Sequence, residues 1–540
     1  MSGAPDRVPH AKPALTFSGT AASPGYAEGP VRRLDTKASH YERKASPAEE
    51  AEALKAAIET SAERLAVLAS RSTGEAADML EFQMAMLADD SLFGPALDAV
   101  ANGTAADEAW SAALRAEISG YETADDEYFR ARAADLKDIR QQVLDVLGSA
   151  GSRDAPAGAI LVGDDIAPTR FLATDWSHGG GIALTSGSSA SHVAMLARSR
   201  GVPMVVGLGP LPADFDGVAL LDAEHGRLLL GAEHEAAELF RTSADAFAAG
   251  RRKAEAHLHR PAVTADGTPV TMLVNVADPE DVDAIDIATC DGVGLMRTEF
   301  LFGKAGGLPD EETQYRAYRR VLEWAKGKPV TIRTVDAGGD KPVAGFTVEE
   351  TNPFLGLRGI RLALARHDVF RIQIRALLRA AVHGNLKVMF PMIAVADEYQ
   401  RAKAMFAEEA VRLTEIGIPF AMPPLGIMVE VPSVAVAPEL FSDAAFFSIG
   451  SNDLTQYVMA AARDNASVAA LNAVTNPAVL RLIAAVARFG RDNDIAVSLC
   501  GDAGGDPGAI PHLLKAGLRD LSVASAQLAS AKAAVAAARV

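Results

Sequence analysis

The sequence predicts a multidomain α/β protein: an α/β domain interrupted by a helical subdomain, followed by a (β/α)8 barrel. Two observations carry this. Short apolar strands punctuated by glycine stand on both sides of a block of Ala, Leu, Glu and Arg at helical spacing. Farther on, eight apolar runs alternate with helical stretches to the end of the chain. At 540 residues the chain also exceeds what one hydrophobic core supports, so several domains are expected.

Residues 1–14 are polar and proline-containing and are expected to be disordered. The α/β domain opens at 15–35, where FSGTAASPGYAEGPV predicts a strand, a Ser-Pro-Gly turn and a second strand. Residues 36–147 form the helical subdomain. The α/β domain resumes over 148–232 with AILVGDDIAPT, GGIALTSG, VPMVVGLG and GVALLDAEHGRLLLG, and one helix follows His192. Residues 233–262, rich in alanine and charge and ending beside Pro261, predict a linker helix. The barrel fills 263–540, its strands ending near Val276, Met296, Thr334, Phe390, Val429, Ile449, Leu499 and Val523.

Hydrophobic residues make up 49% and charged residues 23%, an ordinary globular composition. A net charge of −18 excludes a sequence-blind nucleic-acid binder, which needs a basic face to displace counterions. Only Cys290 and Cys500 are present, which argues against a disulfide framework and for a reducing compartment. No run approaches the roughly 18 apolar residues of a membrane span, so a cytoplasmic protein is expected.

In (β/α)8 barrels the chemistry sits at the C-terminal strand ends. Polar clusters follow the apolar runs there: Arg297 and Glu299 after the second, Arg333 and Asp336 after the third, Glu430 after the fifth. Asn452 and Asp453 follow the sixth, Cys500 and Asp502 the seventh. A phosphate ester needs fixed cations, and the planar guanidinium pairs bidentately with its oxygens, which marks Arg297, Arg333, Arg358 and Arg463. Glu430 and Asp453 follow buried-type strands, where unpaired carboxylates are expensive. A hard cation such as magnesium between them is the natural compensator. His192 follows a Gly/Ser-rich loop at a helix start, where free backbone N–H groups favour an anion.

These segments carry a family resemblance. TSGSSASHVAMLAR is similar to the phosphohistidine signature of enzyme I of the phosphoenolpyruvate:sugar phosphotransferase system, and LGIMVEVPS and FFSIGSNDLTQY resemble its magnesium-site segments. GVGLMRTEFLF, TIRTVDAGGDKP, NPFLGLRGIR, VSLCGDAGGD and ASPGYAEG match in the family's order, so the resemblance covers nearly the whole chain.

The resemblance implies a swivelling phosphohistidine domain and a phosphoenolpyruvate-binding barrel that also dimerises, with a hinge in 233–262. It makes His192 the phosphate acceptor. Arg297, Arg333, Arg358, Arg463, Lys341, Asn452 and Asp453 become phosphoenolpyruvate contacts, with Glu430 and Asp453 as Mg2+ ligands. Cys500 matches the family's acid that protonates the enolate carbon of pyruvate, and the phosphate passes on to the carrier HPr. HPr is expected to dock on the helical subdomain near Phe82 and Met86, rimmed by Glu81 and Asp89. The sequence departs from the family at Ser188, Ala190 and Asp502, where Gly, Thr and Glu are usual. At Ala167, too, a hydroxyl residue facing the histidine is expected, with Ser189 and Thr169 as nearby substitutes.

Two rivals share these features. Pyruvate phosphate dikinase and phosphoenolpyruvate synthase resemble the same domains, but both need a large nucleotide-binding domain. Only the helical segment is spare, and it has no G-x-x-x-x-G-K-[ST] loop. A non-catalytic regulatory protein on the same fold is the other rival, and pyruvate release in the presence of the carrier excludes it.

Overall fold

The computed structural model describes the chain except residues 1–14, 35–40, 71–74, 123–126, 149–155, 188–190, 213–214, 216, 304–307, 340–342, 344, 349, 463–467 and 469–470. Some side chains inside described helices, among them those of residues 81, 82 and 192, also lie outside the description. The chain divides into two compact units, 1–249 and 250–540.

The first unit holds β1 (Leu15–Ser18), β2 (Thr20–Ser23), β3 (Tyr26–Arg33), β4 (Ile160–Gly163), β5 (Gly181–Leu184), β6 (Met204–Val206), β7 (Val218–Asp222) and β8 (Arg227–Leu230). They form one sheet in the order β1-β8-β7-β3-β4-β5-β6-β2. Where the sequence predicts two strands before residue 35, there are three. The break is Gly19: β1 pairs with β8, whereas β2 pairs with β6 at the other end of the sheet. A Cβ at Gly19 would stand 2.4 Å from the Val206 carbonyl oxygen, so only glycine lets the chain pass.

Among the described residues five helices fill the interruption: Pro47–Ala69, Glu75–Leu87, Asp90–Ala101, Ala106–Glu122 and Glu127–Leu147. The first starts where Ser46 accepts a hydrogen bond from the Glu49 N–H and Pro47 occupies the first turn. Buried Glu50 ties that start to the fourth helix, accepting from the N–H groups of Lys44 and Ala106 and from the Tyr41 hydroxyl. Leu54, Trp110, Leu136 and Ile139 share one core with Leu161, Phe171, Ile182 and Met204. The helices therefore pack on one face of the sheet as part of the same hydrophobic body. A short helix absent from the sequence prediction, Pro168–Ala173, follows β4. The long helix His234–Glu255 lies on β3 through the Arg241–Glu28 ion pair and the edge contacts of Tyr26 with Phe240 and Phe247.

The second unit begins with β9 (Ala262–Val263) and continues with β10 (Pro269–Val276), β11 (Val293–Met296), β12 (Val330–Arg333), β13 (Leu386–Phe390), β14 (Leu425–Val429), β15 (Phe446–Gly450), β16 (Ala496–Cys500) and β17 (Asp520–Ala524). From β10 to β17 each strand pairs parallel with the next, and β10 pairs with both β11 and β17, which closes the eight-stranded barrel. Every strand end falls within one residue of its sequence expectation. Leu295, Met389, Met428, Phe446 and Cys500 form a small buried cluster made by the strands alone. No described helix is long and apolar enough to cross a membrane.

Candidate active site

Arg333 is the last residue of β12 and is 4% exposed. Its Nη2 donates to Glu299 Oε2 at 3.0 Å and its Nη1 lies 3.2 Å from Asp336 Oδ2. Arg358 is fully buried and grips the same aspartate, with Nε and Nη2 donating to Oδ1 and Oδ2 at 3.3 and 2.9 Å. Its Nη1 donates to Asp453 Oδ1 and to the Tyr457 hydroxyl, both at 3.2 Å. Burial works against both guanidinium charges, but the carboxylates outweigh it. Glu299 and Asp336 lead for Arg333, Asp336 and Asp453 for Arg358, and both pKa values are raised. Two permanent cations are thus held inside the barrel's C-terminal rim.

Gly359, beside Arg358, has φ +57°, and a Cβ there would stand 2.9 Å from Met392 Cβ. Met392 is itself left-handed at φ +56°, an arrangement a non-glycine residue adopts at a cost of about 1–3 kcal/mol. That conformation is adopted at the residue whose N–H donates to Glu430 Oε1 at 2.6 Å. Glu430 is fully buried, and its other oxygen, Oε2, has no hydrogen-bond partner among the described residues. Burial first, then Asp453 and Asp336, push its pKa up to about 8 against the pull of Arg333 and Arg358.

An orphaned buried carboxylate oxygen beside a second carboxylate is the donor set a hard divalent cation takes. No group of three or more His, Cys, Asp and Glu side chains among the described residues is arranged to hold a metal. Magnesium does not need one, since it binds through one or two carboxylates plus substrate phosphate and water. The residues fit the ion.

Cys500 ends β16 and is buried. Its sulfur accepts from the Ser448 hydroxyl at 3.4 Å and faces the Ile449 carbonyl at 3.6 Å. Burial pushes the thiol pKa up to about 11, against the Ser448 hydrogen bond and the Arg333 charge. The group is a protonated acid at neutral pH. Next to it, Asn452 donates to Asp502 Oδ2 at 3.1 Å and accepts from the Asp502 N–H at 3.2 Å. The aspartate that departs from the family's glutamate therefore braces Asn452. Arg297 follows β11 directly, its N–H bonded to the Val276 carbonyl and its side chain exposed.

Lys341 and Arg463 lie outside the described residues. In the first unit His192 opens the helix His192–Arg200. Ser191 is its N-cap, accepting from the Ala194 N–H at 3.3 Å, and Gly201 ends it at φ +65°. The His192 side chain lies outside the description, as do Ser188, Ser189 and Ala190.

Family models match most of the chain: the N-terminal region of the PEP-utilising enzymes over 18–132, their mobile domain over 155–226 and their PEP-binding domain over 251–540. The chain is 36% identical over 531 residues to the phosphoenolpyruvate-protein phosphotransferase of Priestia megaterium, spanning 96% of this chain and 93% of that one. It belongs to the enzyme I family of phosphotransferases. The Geobacillus stearothermophilus relative of the same name is 37% identical, over 96% and 92% of the two chains. That of Bacillus subtilis is 34% identical, over 96% and 93%.

Within this chain the barrel brings Arg333, Arg358, Glu430 and Asp453 together and sets Cys500 close enough for its proton to feel Arg333 and Glu430. Sequence reasoning gave no site role to three further residues. Asp336 and Glu299 were visible as strand-end acids and turn out to anchor the arginines. Tyr457 stands four residues after Asp453 in one helix, which places both on one face, and that spacing was the available signal. Thr169 is one of the two substitutes expected for a hydroxyl at Ala167. Its side chain donates to Asp138 at 2.7 Å, deep against the helical subdomain. On the expected docking surface, Met86 is half-buried and packs on the core, and exposed Asp89 caps the helix Asp90–Ala101. The side chains of Glu81 and Phe82 lie outside the description.

Proposed function

We infer that this protein transfers phosphate from phosphoenolpyruvate to its own His192 and then to a histidine of HPr, releasing pyruvate. The observation that carries this is the buried pair Arg333 and Arg358 beside Glu430, whose second oxygen lacks a partner among the described residues. Fixed cations next to a site for a hard cation suit a small, highly anionic phosphate ester.

In this reading Arg297, Arg333, Arg358, Arg463, Lys341 and Asn452 hold phosphoenolpyruvate. Glu430 and Asp453 would hold magnesium, which would supply positive charge to offset the negative charge of the reacting group. A neutral His192 nitrogen attacks phosphorus as the bond to the enol oxygen breaks, leaving the enolate of pyruvate. The Cys500 thiol then gives its proton to the enolate carbon and is reprotonated from solvent. A donor whose pKa is pushed up to about 11 keeps that proton until a strongly basic carbon meets it.

The remaining elements of the proposal are an HPr site on the helical subdomain, dimerisation through the barrel, a hinge in 233–262 and residence in the cytoplasm. The test is phosphorylation from labelled phosphoenolpyruvate. Wild type should acquire one acid-labile phosphate and release pyruvate, and His192→Ala should acquire none. An alanine variant that still becomes labelled refutes the assignment.

A further inference from the structure

Behind the arginines runs a connected set of buried polar side chains that the chemistry above does not use. Gln373 sits on the helix His367–Ala380, flanked along its buried face by Phe370, Ile374 and Leu377, and is fully buried. Helical periodicity predicts an apolar residue there, and a buried amide is costly unless bonded. Its bonds go to the strand-end loops. Oε1 accepts from the Val335 N–H at 3.0 Å, and Nε2 donates to Thr298 Oγ1 at 3.3 Å and to the Tyr318 hydroxyl at 3.1 Å. Thr298, also fully buried, donates onward to the Arg333 carbonyl at 3.0 Å.

The direction of the amide is fixed from behind. Tyr318 donates its proton to Gln314 Oε1 at 3.0 Å, so toward Gln373 its oxygen only accepts. The amide nitrogen must therefore face Tyr318 and Thr298, and the amide oxygen must face Val335. Thr298 lies between Arg297 and Glu299, and Val335 beside Asp336. Past Met296 and Arg333 each strand keeps one more backbone bond, from the Arg297 N–H to the Val276 carbonyl and from the Thr334 N–H to the Met389 carbonyl. Farther on the segments are tied by side chains, among them Glu299, whose Oε1 accepts from the Asp336 N–H at 2.9 Å, and Gln373.

We propose that Gln373 is a positioning residue for the substrate clamp. Through Thr298 and the Val335 N–H, it holds the segment 297–299 at a fixed separation from the segment 333–336. Gln373 acts on the ligand only through these segments, and the inference rests on the reading that they bind phosphoenolpyruvate.

The test compares full-length wild type, Gln373→Met, Thr298→Val and Thr298→Ser for phosphorylation from phosphoenolpyruvate, alongside thermal melts. Gln373→Met should raise KM for phosphoenolpyruvate roughly tenfold while kcat changes less than about threefold, the pattern of lost ground-state binding. Thr298→Val should behave alike. Thr298→Ser, which keeps the hydroxyl, should stay within about threefold of wild type, and the double variant should be no worse than either single one, as expected of residues in one network. If Gln373→Met does not fold, the contrast between valine and serine at 298 decides the matter. An unmoved KM in Gln373→Met, or equal losses in the two Thr298 variants, overturns the proposal alone. A wild type that takes no phosphate from phosphoenolpyruvate overturns the functional reading itself.

Discussion

Asp138 in the first unit and Glu430 in the barrel are both buried carboxyl groups whose pKa is raised chiefly by burial, yet they are built differently. Asp138 is surrounded by neutral donors. Its oxygens accept from the Thr169 hydroxyl and N–H and from the amides of Gln83 and Gln142. Glu430 has one backbone donor on one oxygen and none among the described residues on the other, with two guanidinium groups and two more carboxyl groups near it. Asp138 fastens the helix Pro168–Ala173 to the helical subdomain. What separates a structural buried acid from a site acid here is the unmet oxygen, not the burial.

The comparison breaks first at Glu430. Glu430→Gln should slow labelling of His192 from phosphoenolpyruvate by about 10² or more, as losing a transition-state charge contact does, while leaving the melting temperature no lower than wild type. Chelating divalent ions from wild type should have the same effect on rate. If the glutamine variant keeps normal rates, the unmet oxygen is not a ligand.

Cys500→Ala should lower kcat by about 10² and leave phosphoenolpyruvate affinity within about threefold, because it removes a proton donor and no charge. A variant impaired only in binding contradicts that role. Asp336→Asn should cost about 3–5 kcal/mol of stability by urea denaturation, since it leaves Arg333 and Arg358 short of their shared counter-charge. A loss under about 1 kcal/mol would mean that other groups neutralise them.

The smallest effect sharpens the other side of the comparison. The raised pKa of Asp138 means that the folded protein keeps a proton the unfolded chain has released. Its contribution to stability is therefore full below the unfolded pKa and is lost as pH rises through the folded one. Asp138→Asn removes this dependence. The melting temperature of the variant minus that of wild type should climb by a few degrees as pH rises above about 4, the ordinary aspartate value. A flat difference would show that the four donors hold the carboxylate ionised.

The sequence made the barrel legible because its strands are short, mostly buried apolar runs, and Arg333, Glu430 and Cys500 stand at or directly after the ends of three of them. Helical period and strand period do not report which distant side chains meet. Asp336 meets Arg358 because the chain just past it runs close against Arg358 at Gly338, φ +100°, where a Cβ would stand 2.6 Å from Arg358 Cβ. Gln373 was hidden for the opposite reason, since it occupies a place in a helical stripe that reads as core. The three-strand opening was misread because nothing local distinguishes a glycine in a turn from Gly19, where one segment crosses between opposite edges of a sheet.

The seclusion of Cys500 among Leu295, Met389, Met428 and Phe446 has a consequence for survival in an oxidising cell. Peroxide attacks thiolate, and a thiol with a pKa of about 11 is ionised to roughly one part in 10⁴ at pH 7. With access through the strand cluster closed as well, sulfenic acid forms slowly. In the proposed mechanism the burial that keeps a proton ready for carbon also protects the sulfur from damage, so labelling from phosphoenolpyruvate should outlast oxidative stress that silences enzymes built on low-pKa cysteines.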